Sequence, residues 1–393
     1  MLKDRLKTWF EILFVSARLG LTSFGGPIAH LGYFHEEYIR RRKWMDEKSY
    51  ADLVALCQFL PGPASSQVGI GIGIMRGGIV GGIVSFLGFT LPSVIALILF
   101  TTILDTFGIK DAGWIQGLKI VAVVVVAHAV LGMARNLTPD LKRKSIALFA
   151  LVMTLLWQTA FTQIGALLIA GIIGFLLYSK QQHDDEKAVT HFPVSRSVGY
   201  FSLILFFGLL LILPILYKMT SIHWIGLFES FYRSGSLVFG GGHVVLPLLE
   251  QQFVPAGLSE QEFLTGYGAA QAVPGPLFTF AAYIGAMING WQGGLFATFA
   301  IFLPAFLLVL GTLPFWDILR SNPKIKSVLI GVNAAVVGIL ISALYSPIWT
   351  SSIHTPVDFA LAAILFSMLF YWKLPPWIIV LTGALGGTLI SAI

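Results

Sequence analysis

The chain has 393 residues, of which 56% are hydrophobic and 11% charged, and its mean hydropathy is +0.83. That balance excludes a soluble globular fold, which needs more polar cover, and makes a lipid bilayer the expected surrounding. The formal net charge of +6 would suit a nucleic-acid binder, but the basic residues lie mainly in short connections between apolar spans, so nucleic acid is excluded as a partner.

Lys3, Arg5 and Lys7 precede an apolar segment as in a secretory signal, yet that segment carries Glu11 and Arg18 and lacks a small-residue cleavage site. We expect the N-terminus to be retained and cytoplasmic. Phe10 to Tyr33 is apolar but interrupted by Phe24-Gly25-Gly26-Pro27, and a connection holding Arg40, Arg41, Arg42, Lys43 and Lys48 follows. Ala51 to Met75 is interrupted by Pro61-Gly62-Pro63 and contains Cys57, the sole cysteine, which excludes an intrachain disulfide and is left with a packing role. Gly78 to Leu104 and residues 114–136 are long enough, at about 1.5 Å per residue, to cross a core of about 30 Å. Two shorter spans fit between Ser145 and Ser179, and a polar run, Lys180 to Ser197, leads to a further span, Gly199 to Tyr217.

Beyond that span the sequence repeats itself. Arg18-Leu-Gly-Leu-Thr-Ser-Phe-Gly-Gly-Pro returns as Arg233-Ser-Gly-Ser-Leu-Val-Phe-Gly-Gly-Gly, and Gln58-Phe-Leu-Pro-Gly-Pro as Gln271-Ala-Val-Pro-Gly-Pro. Gly81-Gly82 and Leu91-Pro92 return as Gly293-Gly294 and Leu303-Pro304. His30 and Glu37 pair with His243 and Glu250 once a short gap is allowed after Gly241. The chain therefore divides into an N-terminal repeat, 1–180, a linker with an unpaired span, 181–224, and a C-terminal repeat, 225–393.

One extra span turns the second repeat over, and the loop charges agree. The loop from Arg40 to Lys48 corresponds to Gln251 to Glu262, which has no Lys or Arg; Arg135, Lys142, Arg143 and Lys144 correspond to Pro347 to Val357, again without either. In the third pair the bias reverses, Lys110 standing against Arg320, Lys324 and Lys326. With those loops fixed, both interrupted segments of each half enter and leave on one side, as re-entrant hairpins whose arms of about ten residues, about 15 Å, reach the midplane. Ordinary transmembrane helices kinked at Pro and Gly are the alternative. The expected fold class is an all-α polytopic membrane protein of two inverted-topology repeats, each with two broken re-entrant hairpins and about four full spans.

Irregular backbone at membrane depth is tolerated only where it is buried or lines a watery cavity, so the broken turns are the candidate transport site. Pro27, Pro63 and Pro276 follow Gly26, Gly62 and Gly275 as though each opened a half-helix, whose free N–H groups would favour an anion. The expected substrate-binding set is Arg18, Gly25, Gly26, Pro27, Gln58, Pro61, Gly62, Pro63, Ser65, Ser66, Arg233, Gly240, Gly241, Gln271, Pro274, Gly275, Pro276 and Thr279. Ser65, Ser66 and Thr279 would offer hydroxyls or bond their own helix carbonyls. Gln58 and Gln271 would satisfy the broken backbone or touch substrate. Arg18 and Arg233 would neutralise a dianion or pair with Glu11 and Glu229. His30, Glu37, His243 and Glu250 are candidates for ion coupling, with interfacial or hairpin-capping roles as the alternative. His128, lacking a counterpart, is expected to be simply hydrogen-bonded.

Phe24-Gly-Gly-Pro-Ile-Ala-His and Phe239-Gly-Gly-Gly-His, each followed by a Pro-Gly-Pro turn, resemble the chromate ion transporter family in its long two-domain form, as does the stretch from Ala51 to Gly69. The resemblance spans essentially the whole chain. It implies proton- or potential-linked efflux of chromate across a bacterial inner membrane, conferring chromate resistance, with sulfate as a related oxyanion. A passive oxyanion channel and a sulfate-type importer stay open as alternatives, as does a homodimer. An enzyme is not expected: the sequence has no His-Glu-x-x-His, Gly-x-Ser-x-Gly or phosphate-loop lysine motif. Neither cofactor nor metal is implied.

Overall fold

The computed structural model describes residues 2–24, 26–107, 113–157, 159–179, 194–239, 244–254, 257–316 and 322–392, and every regular element among them is helical. In the first half these are α1 (Leu2–Thr22), α2 (Gly26–Phe34) with a π turn to Arg41, α3 (Glu47–Phe59), α4 (Ala64–Phe107), α5 (Gly113–Leu137), α6 (Leu141–Leu156) and α7 (Ala160–Tyr178). Helix α8 (Arg196–Thr220) follows. The second half holds α9 (His223–Leu237), α10 (Val245–Phe253), α11 (Glu260–Ala272), α12 (Phe280–Thr312), α13 (Pro323–Ala343) with a π turn to Trp349, α14 (Pro356–Phe370) and α15 (Pro376–Ala392). Five helical stretches, Ala64–Leu104, Gly113–Leu137, Arg196–Thr220, Leu277–Phe315 and Lys324–Ser346, are long and apolar enough to cross a membrane. Helix α6, at 16 residues or about 24 Å, is short for that task.

Corresponding helices start on corresponding caps, although the residues differ. Asp46 caps α3 by accepting from Ser49 N, and Ser259 caps α11 in a reciprocal box with Glu262. Asp140 caps α6, and Thr355 with Asp358 caps α14. A carboxylate or hydroxyl accepting the free first-turn N–H groups serves each start equally well.

Helix α4 is two helices. Gly77 and Gly78 leave helical geometry, Gly78 at φ +67°. The chain then turns back on itself, so that Ser85 Oγ donates to Gly69 O at 2.8 Å and a Cβ on Gly73 would meet Gly81 O at 2.4 Å. Helix α12 does the same at Asn289 and Gly290, φ +62°, with Gly285 against Gly293. Glycine serves both functions here, positive φ at the bend and close backbone approach beyond it.

The first interrupted segment also folds back. Ser16 on α1 lies 3.0 Å from Tyr38 Oη and 3.1 Å from Ser85 Oγ, and Trp9 Nε1 donates to Gly77 O. Its two ends, and the far ends of α3 and the first part of α4, converge on one polar cluster. There Arg42 reaches Glu11 at 3.0 Å, Arg76 reaches the same carboxylate at 3.5 Å, and Trp44 lies beside both guanidinium groups. The expected alternative pairing of Arg18 with Glu11 is not made, because these two arginines hold the carboxylate.

The halves are interlocked rather than set side by side. Helix α5 packs on α14 and α15 of the other half, and α13 packs on α6 and α7. Glycine permits both approaches: a Cβ on Gly117 would stand 2.0 Å from Gly383 O, and one on Gly331 2.0 Å from Ala170 O. Helix α8 packs on α9 and α12 and leaves Phe201, Ile204, Phe207 and Leu211 exposed.

Candidate functional site

Backbone hydrogen bonds tie the four broken turns together in a reciprocal pattern. Gly62 N donates to Val238 O at 2.6 Å, and Gly275 N donates to Ser23 O at 2.9 Å. Val238 and Ser23 each precede the repeated Phe-Gly-Gly, so the Pro-Gly-Pro turn of each half is pinned to the first broken turn of the other. Gly62 at φ +113° and Gly275 at φ +109° hold backbone conformations that favour glycine. Their N–H groups, which the sequence leaves free for an anion, are spent on this link.

The free donors lie a few residues later. Pro63 immediately precedes α4 and its carbonyl accepts the first helical bond, from Gln67 N at 3.0 Å. Ala64, Ser65 and Ser66 therefore present their N–H groups beyond the helix start. Pro276 likewise caps a 3-10 turn, Leu277–Thr279, instead of sitting within it, whereas Pro27 lies in the first turn of α2 as expected. A proline carbonyl can accept although its nitrogen cannot donate, which suits it to the capping position.

Side chains around these turns divide into committed and uncommitted groups. Thr279 Oγ1 donates to Pro276 O at 2.7 Å and is spent on its own turn. Ser65 Oγ is 3.2 Å from His30 Nδ1, while Ser66 Oγ, buried at 2% exposure, has no partner among the described residues. His30 is buried at the turn: its ring lies 5.4 Å from that of Phe89 in an edge-to-face arrangement, and its Nε2 has no hydrogen-bond partner among the described residues. With the Ser65 hydroxyl donating to Nδ1, the proton sits on Nε2, and the ring lies within reach of the Ser23 backbone. Ser23 Oγ and Thr90 Oγ1 are buried without partners as well.

Gln67, which the repeat comparison passes over, supports the first turn by donating from Nε2 to Pro61 O at 2.8 Å. Its counterpart in the second half is an apolar Phe280, so a search for repeated polar residues misses it. Gln58 is exposed on α3, whereas Gln271 is half-buried and beside Tyr267; the two do not play one role. Pro274 lies half-buried in the second turn. Gly26 has φ +78° and open space where a Cβ would stand. Gly25, Gly240, Gly241 and His243 lie outside the described residues.

The two arginines differ. Arg18 is exposed four residues before α1 ends, and among the described residues no ion pair holds it. Arg233 Nε is 3.0 Å from Glu229 Oε1, off the line of a good hydrogen bond, and its Nη2 donates to Gln252 Oε1 at 2.6 Å. The two glutamates differ too. Burial works against the charge of Glu37, but hydrogen bonds from Arg42 at 2.9 Å and Arg41 at 3.2 Å hold its carboxyl below the usual range. Glu250 is half-buried, and the positions that match Arg41 and Arg42 are Val254 and Pro255, which carry no charge. His128 is exposed on α5, its ring edge against Phe370.

Residues 10–175 and 225–388 each match the family model described as Chromate transporter. A chromate transport protein of Pseudomonas aeruginosa is 25% identical over 95% of this chain and 90% of its own length. A probable chromate transport protein of Synechococcus elongatus is 28% identical over 95% and 93%. An uncharacterized transporter of Methanocaldococcus jannaschii is 27% identical over 83% and 81%. No solved structure matches the chain.

Proposed function

The chain belongs to the chromate transporter family, a family of multi-pass membrane transporters and not enzymes, and from that premise we propose that it is a secondary transporter of chromate or a similar tetrahedral oxyanion such as sulfate. The observation that carries this reading is the reciprocal link of the broken turns, Gly62 to Val238 and Gly275 to Ser23, in a region that keeps buried polar atoms unpartnered. Turns that meet at membrane depth must satisfy their backbone within the protein, and polar atoms left over there await a ligand.

An oxyanion with four acceptor oxygens suits donors of this kind. We assign it to the α4 helix start, with N–H groups of Ala64, Ser65 and Ser66, the Ser66, Ser23 and Thr90 hydroxyls, and His30 Nε2–H. About half a positive charge at the helix start and the Arg18 guanidinium would offset the dianion together. Arg233 is assigned to structure, through Glu229 and Gln252.

In this reading the two halves have inverted topology and their interrupted segments are re-entrant hairpins. The shared polar end of Glu11, Arg42 and Arg76 supports that threading, as do the opposed loop charges. The cluster faces the cytoplasm of a bacterial inner membrane, and efflux is the direction that confers resistance. Of the coupling candidates, Glu250 is the carboxyl free to change protonation, since Glu37 is held by two arginines.

Labelled chromate flux into proteoliposomes of the purified protein, with sulfate and molybdate as competitors, tests the reading. We expect accumulation against a chromate gradient and competition by sulfate. Flux that only runs down its gradient would make the protein a channel, and no chromate flux at all would end the substrate assignment.

A further inference from the structure

Gln67 brings a hydrogen-bond acceptor to a turn whose other uncommitted groups can all donate. Its side chain is fully buried and its amide is located by two contacts: Nε2 donates to Pro61 O at 2.8 Å, and a Cβ on Gly62 would stand 3.1 Å from the same nitrogen. Pro61 O can only accept, so this bond also decides which end of the amide is nitrogen. Oε1 is left buried with no partner among the described residues. Gln67 is the residue whose N–H makes the first helical bond of α4, to Pro63 O, and its side chain folds back past the helix start to reach Pro61. The orphaned carbonyl therefore lies at the same end of α4 as the N–H groups of Ala64, Ser65 and Ser66 and the unpartnered Ser66 hydroxyl.

An amide carbonyl accepts and never donates, and a buried one without a partner is costly. A fully deprotonated oxyanion cannot relieve it, because every atom it presents is an acceptor too. An oxyanion that keeps one proton can: its O–H donates to Gln67 Oε1 while its remaining oxygens accept from the helix start and the hydroxyls. One proton also lowers the charge to be buried from two units to one, which the partial charge of a helix start goes further to offset. The acceptor belongs to one turn only, since Phe280 stands at the matching position of the second half and Thr279 Oγ1 is committed to Pro276 O.

We propose that the site takes the oxyanion in its monohydrogen form, hydrogenchromate in the case of chromate, and that Gln67 Oε1 accepts the hydrogen bond from that proton. The proton stays on the oxyanion throughout, so no bond to hydrogen breaks, and one negative charge crosses with each cargo ion instead of two. Selectivity among ions of one shape follows. Chromate takes up its first proton close to neutral pH, whereas sulfate and selenate do so only in strong acid. A site built to hydrogen-bond an O–H disfavours analogues that lack it, because its own buried acceptor is then left unpaired.

The protein's own titrations are separable from that of the cargo. Around the turn, α2 brings His30, α1 brings Arg18, α3 its buried Cys57, and α9 the paired Glu229 and Arg233. A change of charge on any of these alters the binding of chromate, sulfate and selenate together. A proton carried by the cargo alters chromate alone.

The inference rests on the oxyanion reading above. Its test is exchange of labelled for unlabelled chromate in proteoliposomes with equal pH on both sides, followed from mildly acid to mildly alkaline pH, with selenate and sulfate as competitors. The KM for total chromate should rise about tenfold per pH unit on the alkaline side, as the competent fraction falls. The inhibition constants of selenate and sulfate should stay level with pH and lie at least tenfold above the KM for chromate at neutral pH. A KM that stays level, or one that rises in step with those inhibition constants, would overturn the proposal. Gln67→Lys keeps a donor for Pro61 O and removes the acceptor; it should lose the alkaline rise and shift the preference at least tenfold from chromate toward selenate. Gln67→Met, uncharged and of similar length, gives the same readout if the lysine variant does not fold. A folded variant that keeps both the rise and the preference removes Gln67 from the role. If the unmodified protein exchanges none of the three ions at any pH, the oxyanion reading fails and takes this inference with it; exchange without the pH signature defeats the inference alone.

Discussion

At Gly62 and Gly275 two separate requirements coincide: a backbone at φ +113° or +109°, and an amide that must point at the other half. A Cβ would also come within 3.1 Å of Gln67 Nε2 in the first turn and 3.0 Å of Ser93 Oγ in the second. Gly62→Val and Gly275→Val therefore add strain of about 1–3 kcal/mol each. We expect either to insert and fold but to lose at least tenfold in chromate flux; normal flux from a folded variant would remove the turns from the site. At the arginines the expectation splits. Arg233→Gln strands Glu229, which is 5% exposed, and should lower the unfolding temperature by the equivalent of about 3 kcal/mol, with Glu229→Gln restoring it. Arg18→Gln should leave stability alone and reduce flux. Glu37 has its carboxyl held below the unfolded value by Arg42 and Arg41, against the opposing effect of burial. Its contribution is complete above the ordinary carboxylate range, about pH 4 to 5, and disappears as pH falls through the depressed value. Thermal unfolding should thus be flat from neutral pH down to about 5 and fall below it, and Glu37→Gln should flatten that acid limb.

Helix breaks were the most legible elements, because Phe-Gly-Gly and Pro-Gly-Pro are local signals that glycine and proline carry by their own backbone limits. The bend at Gly77-Gly78 agrees with the span read to start at Gly78, and the second half bends likewise at Asn289-Gly290. What the sequence does not disclose is which backbone atoms meet across the halves. The Gly62 and Gly275 amides look free until Val238 and Ser23 arrive from distant segments, and only then do Ala64 to Ser66 become the donors. The threading itself is open to a direct check, since Cys57 is fully buried and will not react. In a Cys57→Ala background, cysteines replacing Arg41 and Ser259, both exposed, should be labelled by an impermeant reagent from opposite faces of sealed vesicles. Labelling of both from one face would end the inverted arrangement.

For the molecule as a whole, the crossed packing of α5 on α14 and α15, and of α13 on α6 and α7, means that neither repeat buries its own central helix. Each repeat expressed alone would expose glycine-lined faces built for a partner, such as Gly117 and Gly331. We expect residues 1–179 and 194–393 to be unstable apart and to restore flux when produced together; stable, active single halves would contradict the interlocked fold. The reciprocal link at the turns has a consequence for how such a chain can drift. A bond from amide to carbonyl is indifferent to the side chains on either residue, so the joint survives while its surroundings diverge. Leu60 can become Val273, Pro27 can become Gly242 and Gln67 can become Phe280 without the two tips losing register. A tie made by main chains alone leaves the side chains around each tip unconstrained, so the first tip keeps His30 Nε2 and Ser66 Oγ buried without a hydrogen-bond partner while the second spends Thr279 Oγ1 on its own turn.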